Sequence, residues 1–185
     1  LRTGSDFETA MNKVAAISQS TTGELDQMKQ AARELGATTQ FSASEAADGM
    51  SFLAMAGFKV NEIIGAMPTV LNLAAVAQLD MATAADIASN IMAGFSMSAD
   101  ELSGAVDVLS KAMTSSNTNL QQLGDAMKFV GPVAASFGIQ FEETAAAVGF
   151  LSDAGLQAST AGTGLRRILT TVAQRADDLG VKAFD

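Results

Sequence analysis

Two adjacent pairs of carboxylates have the residue types that could support acid–base chemistry or bind a metal. They are Glu142-Glu143 and Asp177-Asp178. Neighbouring side chains on a helix point about 100° apart, so neither pair converges on one substrate atom. The chain has no histidine and no cysteine, which removes the commonest general base, the thiol nucleophile and most ligands for transition metals. We therefore predict no catalytic residue, no metal site and no cofactor, and we interpret both pairs as solvated.

A glycine-rich stretch from Gly155 to Gly164 has the composition of a phosphate-binding loop. It lacks the lysine of a P-loop and follows no predicted strand, so a joint between two helices explains it better. The pair Arg166-Arg167 stands near the start of the last predicted helix, where cations are electrostatically unfavourable. This position suggests a contact with a partner, and a solvated pair is the interpretation that we favour.

The charge distribution argues against nucleic acid as a direct partner. The 20 acidic residues outnumber the 11 basic ones, which gives a formal net charge of −9. Residues 60–165 carry ten acids against Lys111 and Lys128. Phosphate binding depends on clustered Lys and Arg, which this region lacks. The apolar residues are mostly Ala, Met and Leu, with no Tyr or Trp, which predicts an adaptable core of modest stability.

The two ends and the longest apolar stretch bear on where the chain works. The start shows no signal-peptide pattern and no initiator Met, so we expect a piece of a longer chain. The longest uncharged stretch, residues 63–79, contains Pro68, Asn72 and Gln78. It falls short of a spanning helix, and a buried helix is the favoured interpretation.

A repeated tetrapeptide indicates how the helices end. Met-Ala-Gly-Phe occurs at residues 55–58 and again at 92–95, and a weaker copy begins at Ala154. Each copy ends an Ala-rich apolar run with a glycine, which is the residue that helix C-termini favour. We therefore predict that three helices end at the glycines of these copies, which are Gly57, Gly94 and Gly155.

Helix starts are as clear as helix ends. Ser42, Thr83 and Ser98 are each followed three residues later by an acidic residue, which is the spacing of a capping box. These caps predict helices over residues 42–56, 83–94 and 98–114. Further helices are predicted over 61–78, 120–130, 141–154 and from about 160 to 179. Pro68 predicts a kink or a turn, and Gly131-Pro132 predicts a break before a short turn at 133–137.

Apolar residues from Phe7 to Leu35 recur at steps of four and three, which is a heptad pattern. Its middle is polar at Ser18 and Thr21, so it predicts either two helices or one helix with a weak joint, which we favour. No stretch alternates as a strand does. The fold class is therefore all-α: a compact multi-helix module of short capped helices, residues 37–185, preceded by a coiled-coil-like arm, residues 1–36.

Nine short segments stand in a recognisable order along the chain. They are Phe7-Glu8-x-x-Met11-x-x-Val14, Ala32-x-Glu34-Leu35-Gly36, Thr39-x-Phe41-Ser42-Ala43-x-Glu45-Ala46, Met50-x-Phe52-Leu53-Ala54-x-Ala56-Gly57-Phe58, Leu71-x-Leu73-Ala74-Ala75, Ala84-Ala85-Asp86-Ile87, Asn119-x-x-Gln122-Leu123-Gly124-x-Ala126-Met127-Lys128, Ala154-Gly155-Leu156 and Gly162-x-Gly164-Leu165-Arg166. In order and spacing they resemble the core region of phage tail tape measure proteins.

The resemblance implies a structural role rather than an enzymatic one. Proteins of this family set the length of a phage or prophage tail, support assembly of its tube and leave ahead of the DNA at infection. The partners it implies are tail tube, tail initiator and assembly chaperone proteins, with self-association through the N-terminal helix. It places the chain inside the tail, in the host cytoplasm during assembly, and at the host envelope on infection. The alternative is a membrane-inserting helical module that helps form a conduit for DNA.

Overall fold

The computed structural model describes the backbone of residues 2–184 and the side chains of residues 6–184, so Leu1 and Asp185 lie outside it. The described residues form helices without any strand, which confirms the all-α prediction. The helices are α1 (Arg2–Ser18), α2 (Thr22–Thr38), α3 (Ala43–Met55), α4 (Val60–Ala77), α5 (Met81–Phe95), α6 (Ala99–Ser115), α7 (Leu120–Ser136), α8 (Phe141–Asp153) and α9 (Ala158–Asp178).

The described chain divides into two compact units. Unit 1 contains residues 2–89 and 98–100, and unit 2 contains residues 90–97 and 101–184. The boundary predicted from the heptad pattern, at residue 36, falls inside unit 1.

In unit 1, α3 is the central helix, and α1, α2 and α4 pack against it. The interior is rich in methionine, as the composition predicts: Met11, Met28, Met50 and Met67 are fully buried. On the surface, Glu8 of α1 forms ion pairs with Lys29 (2.6 Å) and Arg33 (3.4 Å) of α2.

The N-terminal heptad region forms two helices that pack on α3. α1 ends at Ser18 and α2 begins at Thr22, with Gln19 between them in a left-handed conformation at φ 51°. Thr21 caps α2 through its hydroxyl, in a capping box with Glu24. The polar middle of the heptad pattern therefore marks a helix break. The apolar heptad positions of α1 and α2, such as Met11 and Met28, are used in the interior of unit 1.

In unit 2, α7 packs against both α8 and α9, and α8 also packs against α9. Phe141, the first residue of α8, meets Phe95 edge to face, with ring centroids 5.1 Å apart. Gly131 of α7 faces the same Phe95 ring, which leaves no room for a larger side chain there. The fully buried leucines described in this unit come from two helices: Leu102 and Leu109 from α6, and Leu120 and Leu123 from α7.

The predicted break at Gly131-Pro132 is wrong, because α7 continues through it. In α4, no turn interrupts the helix at Pro68. α4 runs from Val60 to Ala77 through Pro68, and α7 runs from Leu120 to Ser136 through Pro132. Both prolines are exposed. A proline on the solvent side bends a helix rather than ending it, because the carbonyl that it deprives of a donor can bond to water.

Candidate functional site

Two of the three glycines predicted to end helices lie in left-handed conformations directly after a helix. Gly57 follows α3 at φ 91°, and Gly155 follows α8 at φ 89°. In each case the next amide donates back to a carbonyl five residues earlier, from Phe58 to Leu53 (3.2 Å) and from Leu156 to Leu151 (2.8 Å). This is the Schellman arrangement, which needs a residue that tolerates positive φ.

Gly94, the third predicted stop, does not end its helix. α5 continues to Phe95, and Ser96 takes the left-handed conformation at φ 54°. The amide of Met97 then closes the helix by donating to the Met92 carbonyl (2.9 Å). Gly94 instead lies against Pro132 of α7, which a Cβ at this position would approach to 3.5 Å.

The three predicted caps differ in outcome. Ser42 is the N-cap of α3: its hydroxyl accepts from the Glu45 amide (3.2 Å), and its own amide donates to the Glu45 carboxylate (2.7 Å). Ser98 directly precedes α6. Thr83 lies inside the first turn of α5, because Asp80 is the residue that caps this helix. The Asp80 carboxylate accepts from the Thr83 amide (2.9 Å) and hydroxyl (2.7 Å).

These capping hydrogen bonds change the acidity of the carboxylates that accept them. The backbone amide of Ser42, followed by its hydroxyl, lowers the pKa of Glu45 below its usual value. Thr21 does the same to Glu24, and Thr83 lowers the pKa of Asp80. A hydrogen bond to the charged form favours ionisation. These perturbed carboxylates therefore belong to helix starts rather than to a reactive centre.

Neither of the two carboxylate pairs considered for chemistry forms a joint site in the structure. Glu143 accepts from the amide of Gln140 (3.3 Å) at the start of α8, while Glu142 faces solvent. Asp177 and Asp178 are both exposed at the end of α9. Among the side chains that the structure describes, no three acidic groups come together in a way that could hold a metal ion.

A groove between α6 and α8 in unit 2 has a volume of about 470 Å³. Its apolar lining includes Val108, Ala145 and Phe150, and the Phe150 side chain is 76% exposed. Charged groups of both signs stand at its margin: Lys111, Glu142 and Asp153. An apolar groove with charges at its edge suits contact with a polypeptide better than chemistry on a small substrate.

Arg166 and Arg167 are exposed on α9, the helix on which a partner contact was considered. Arg167 lies beside Thr160 and Thr163 in a shallow depression on the same helix. α9 also carries exposed apolar side chains, Ile168 and Val172, which are 53% and 44% exposed. The arginines were predicted from the sequence, but the exposed apolar stripe of Ile168 and Val172 was not.

Glycine at position 162 was also missed as a structural residue. A Cβ built there would lie 2.8 Å from the Cα and 2.9 Å from the carbonyl carbon of Ala126, and still closer to its oxygen. Gly162 therefore lets α9 approach the backbone of α7. The signal in the sequence was a glycine inside an apolar helix rather than at its end.

α4 is the one described helix that is long and apolar enough to cross a membrane by length and composition, with a mean hydropathy of 1.4 over 18 residues. Its apolar face is used inside unit 1, where Ile63, Met67 and Val70 are fully buried. A core helix passes the same test, so the membrane-inserting alternative is not favoured.

Comparison with known proteins identifies the family. Residues 29–185 match the family of phage-related minor tail proteins. The chain is 42% identical to the tape measure protein of Pneumococcus phage Dp-1, over the whole chain and 17% of that protein. It is 34% identical to the probable tape measure protein of Escherichia phage P2, over 88% of the chain and 21% of that protein. The chain thus spans about a fifth or less of the length of these relatives. No solved structure matches it. The chain belongs to the phage-related minor tail proteins and corresponds to a region of their tape measure members.

Proposed function

We propose that this chain is a folded module of a tape measure protein, which acts inside a phage or prophage tail to set its length and to support assembly of its tube. The observation that carries the proposal is the 42% identity to a tape measure protein over the entire chain. The partners that this role requires are tail tube, tail initiator and assembly chaperone proteins. The module acts in the host cytoplasm during assembly and leaves the tail ahead of the DNA at infection.

A structural role rather than catalysis is supported by what the relatives are and by the chemistry of the chain. The two relatives carry names of structural tail proteins. Carboxylates with lowered pKa values, such as Glu45 and Asp80, serve helix caps, and the chain has neither histidine nor cysteine. We accordingly propose that the module contributes contact surfaces, including the groove between α6 and α8, and no active site.

The location can be tested with purified virions. An antibody against residues 101–180 should detect the protein in intact virions and in isolated tails, and should find it protected from added protease until the tails are disrupted. Detection in a non-tail fraction alone, or cleavage by protease in intact tails, would argue against a place inside the tube.

The assembly role needs a second test, in which a defective phage is complemented by variants of the gene. A wild-type gene should restore tails, and a variant with Gly162→Leu, which forces a large side chain onto the α7 backbone, should not. Gly104→Leu is the matched control, because this glycine of α6 is exposed and a Cβ there meets no other atom within 4 Å. Normal numbers of normal tails from the Gly162 variant would contradict an assembly role for the folded module.

A further inference from the structure

The chain contains the same three-helix segment twice, once in each unit, at a spacing of 98 residues. α2 and α7 start at residues 22 and 120, α3 and α8 at 43 and 141, and α4 and α9 at 60 and 158, so each difference is 98. The first two pairs have equal lengths, of 17 and 13 residues. In both segments the first helix packs on the second and third, and the second packs on the third.

Local geometry repeats at the same spacing. Thr21 and Asn119 are both N-caps with a capping box, and Gly57 and Gly155 differ by 2° in φ. The five residues of α3 at positions 46, 47, 50, 51 and 54 are buried, and so are all five residues of α8 that lie 98 positions later. Equivalent residues therefore make equivalent turns and face equivalent interiors, which is the behaviour of a structural repeat.

The two copies of the repeat differ in the burial of one face of the third helix. In α4, Val70 is 0% and Ala74 is 2% exposed. Their counterparts 98 residues later in α9 are Ile168, 53% exposed, and Val172, 44% exposed. The residues are apolar in both repeats, so α9 has kept a face suited to burial that the described chain does not cover. Leaving two β-branched side chains in water forgoes the free energy that their burial would provide.

The segment that follows α4 indicates what would cover the exposed face of α9. After a left-handed residue at Gln78, it turns into α5, whose first residue is Met81. The Met81 side chain reaches within 3.1 Å of the position of a Cβ on Gly49, which Met67 of α4 also approaches, to 2.9 Å. Met67 lies on the same stripe of α4 as Val70 and Ala74. α5 thus begins beside the face of α4 that carries Val70 and Ala74. The counterpart of this face in α9 is exposed.

α9 ends with the same turn as α4. The Val181 amide donates to the Ala176 carbonyl (3.0 Å), as the Leu79 amide donates to the Ala74 carbonyl (3.0 Å). Gly180 takes the left-handed position that Gln78 holds after α4. The two helices therefore end in the same kind of turn. The relatives extend well beyond the matched region, since the chain spans 17% of the Dp-1 protein.

We propose that the Ile168–Val172 face of α9 is the docking site of an amphipathic helix that follows residue 185 in the full tail protein and takes the place that α5 has after α4. Its expected length is that of α5, 15 residues. Its apolar side is expected to resemble that of α5, whose buried apolar residues are Ala84, Ala85, Ile87, Ala88, Ile91 and Met92. The inference rests on the repeat and on the greater length of the relatives, and not on the role proposed above.

Thiol labelling of the full tail protein tests this directly, because residues 1–185 contain no cysteine that would interfere. Single cysteines at Ile168 and Val172 should react with a maleimide about tenfold or more slowly than a cysteine at Gln174, which is also exposed on α9 but lies off the Ile168–Val172 face. Replacing the roughly 25 residues after 185 with a Gly/Ser sequence of equal length should bring all three rates together. A cysteine at Leu169, which is 9% exposed, should stay slow and so report that α9 remains packed.

Hydrogen exchange on the unaltered protein gives a second measurement that needs no replacement, and the segment after residue 185 should show helical protection. Three results would overturn the proposal. They are equal labelling at positions 168 and 174 in the intact protein, slow labelling at 168 that survives the replacement, and protection that grows with protein concentration. The last result would mean that a second copy, rather than the same chain, covers α9.

Discussion

Substituting Gly162 with alanine should destabilise unit 2, although the same change elsewhere in the same helix should stabilise it. The Cβ introduced at position 162 would meet the backbone of Ala126 in α7, at 2.8 Å from Cα and 2.9 Å from the carbonyl carbon. Atoms of a helical backbone cannot turn aside as a flexible side chain can, so α9 must move away from α7. Overpacking of this kind costs about 1–3 kcal/mol.

The matched control is Gly164→Ala, two residues along α9. A Cβ at Gly164 meets no other atom within 4 Å, and its φ is not positive. Alanine in a helix interior is favoured over glycine by about 0.5–1 kcal/mol. The same gain offsets part of the clash at position 162, so the two variants should differ by the cost of the clash alone, about 1–3 kcal/mol.

Urea unfolding followed by circular dichroism measures this difference. With a slope of about 1–3 kcal/mol per molar urea, the midpoints of the two variants should lie on the order of 1 M apart, with wild type between them. Comparing two alanine substitutions in one helix cancels the propensity term and isolates the contact with α7. If Gly162→Ala were as stable as Gly164→Ala, the close approach of α7 and α9 would be refuted.

Four further predictions concern helix ends and one helix interior. Ser42→Ala should lower the free energy of unfolding by about 1 kcal/mol, because it removes the N-cap of α3, and an unchanged urea midpoint would contradict this. Gly57→Ala and Gly155→Ala should each cost about 1–2 kcal/mol, because both glycines have positive φ. Gly104→Ala, on the exposed side of α6 with no other atom near its Cβ, should instead stabilise the protein, and urea unfolding measures both effects. Finally, the lowered pKa of Glu45 contributes stability that is present above its unfolded value and lost as the pH falls below about 4.3, so Glu45→Gln should flatten the acid limb of stability against pH.

The sequence predicted the helices well because each carries its own local signals. Ser42 with Glu45 and Gly57 after an apolar run define both ends of α3 through interactions within a few residues. Such short-range chemistry can be read without knowing the tertiary structure. The break between α1 and α2 carries the same kind of local signal, the capping box of Thr21 and Glu24, but the interpretation that we favoured was one helix with a weak joint, and the structure has two helices.

The predictions that were wrong depended on choosing between competing local signals. Thr83 and Asp86 have capping-box spacing, but Asp80 accepts both the amide and the hydroxyl of Thr83 and so starts α5 earlier. Gly94 could have stopped α5, but Ser96 takes the left-handed position. In each case two residues offered the same function, and the choice between them depends on how the flanking helices pack.

Features that depend on contacts between helices were beyond the sequence analysis. Nothing near Gly162 in the sequence shows that Ala126 lies against it, because the two residues meet only after α7 and α9 pack. The Phe-Leu-x-x-Ala-Gly sequence at residues 52–57 and again at 150–155 was visible, but it did not reveal a three-helix repeat. Helix boundaries and buried positions at a spacing of 98 residues were needed for that.

The family assignment raises the question of what this region contributes to a protein that measures length. A measuring rod extends about 1.5 Å for each helical residue. Here the longest described helix has 21 residues, and within each unit helices end at left-handed stops and pack on one another. We therefore expect this region to serve as an assembly module within the tail and to add little to the measured length.

Tail length in a deletion mutant tests that claim most directly. Removing residues 37–180 in frame takes out 144 residues (180 − 37 + 1). As a continuous helix these would account for roughly 216 Å of tail, at about 1.5 Å per residue. Electron microscopy of the tails that assemble should show shortening well below half of that value. Shortening by the full length, in proportion to the residues removed, would show that the region is part of the measuring rod and would contradict the account.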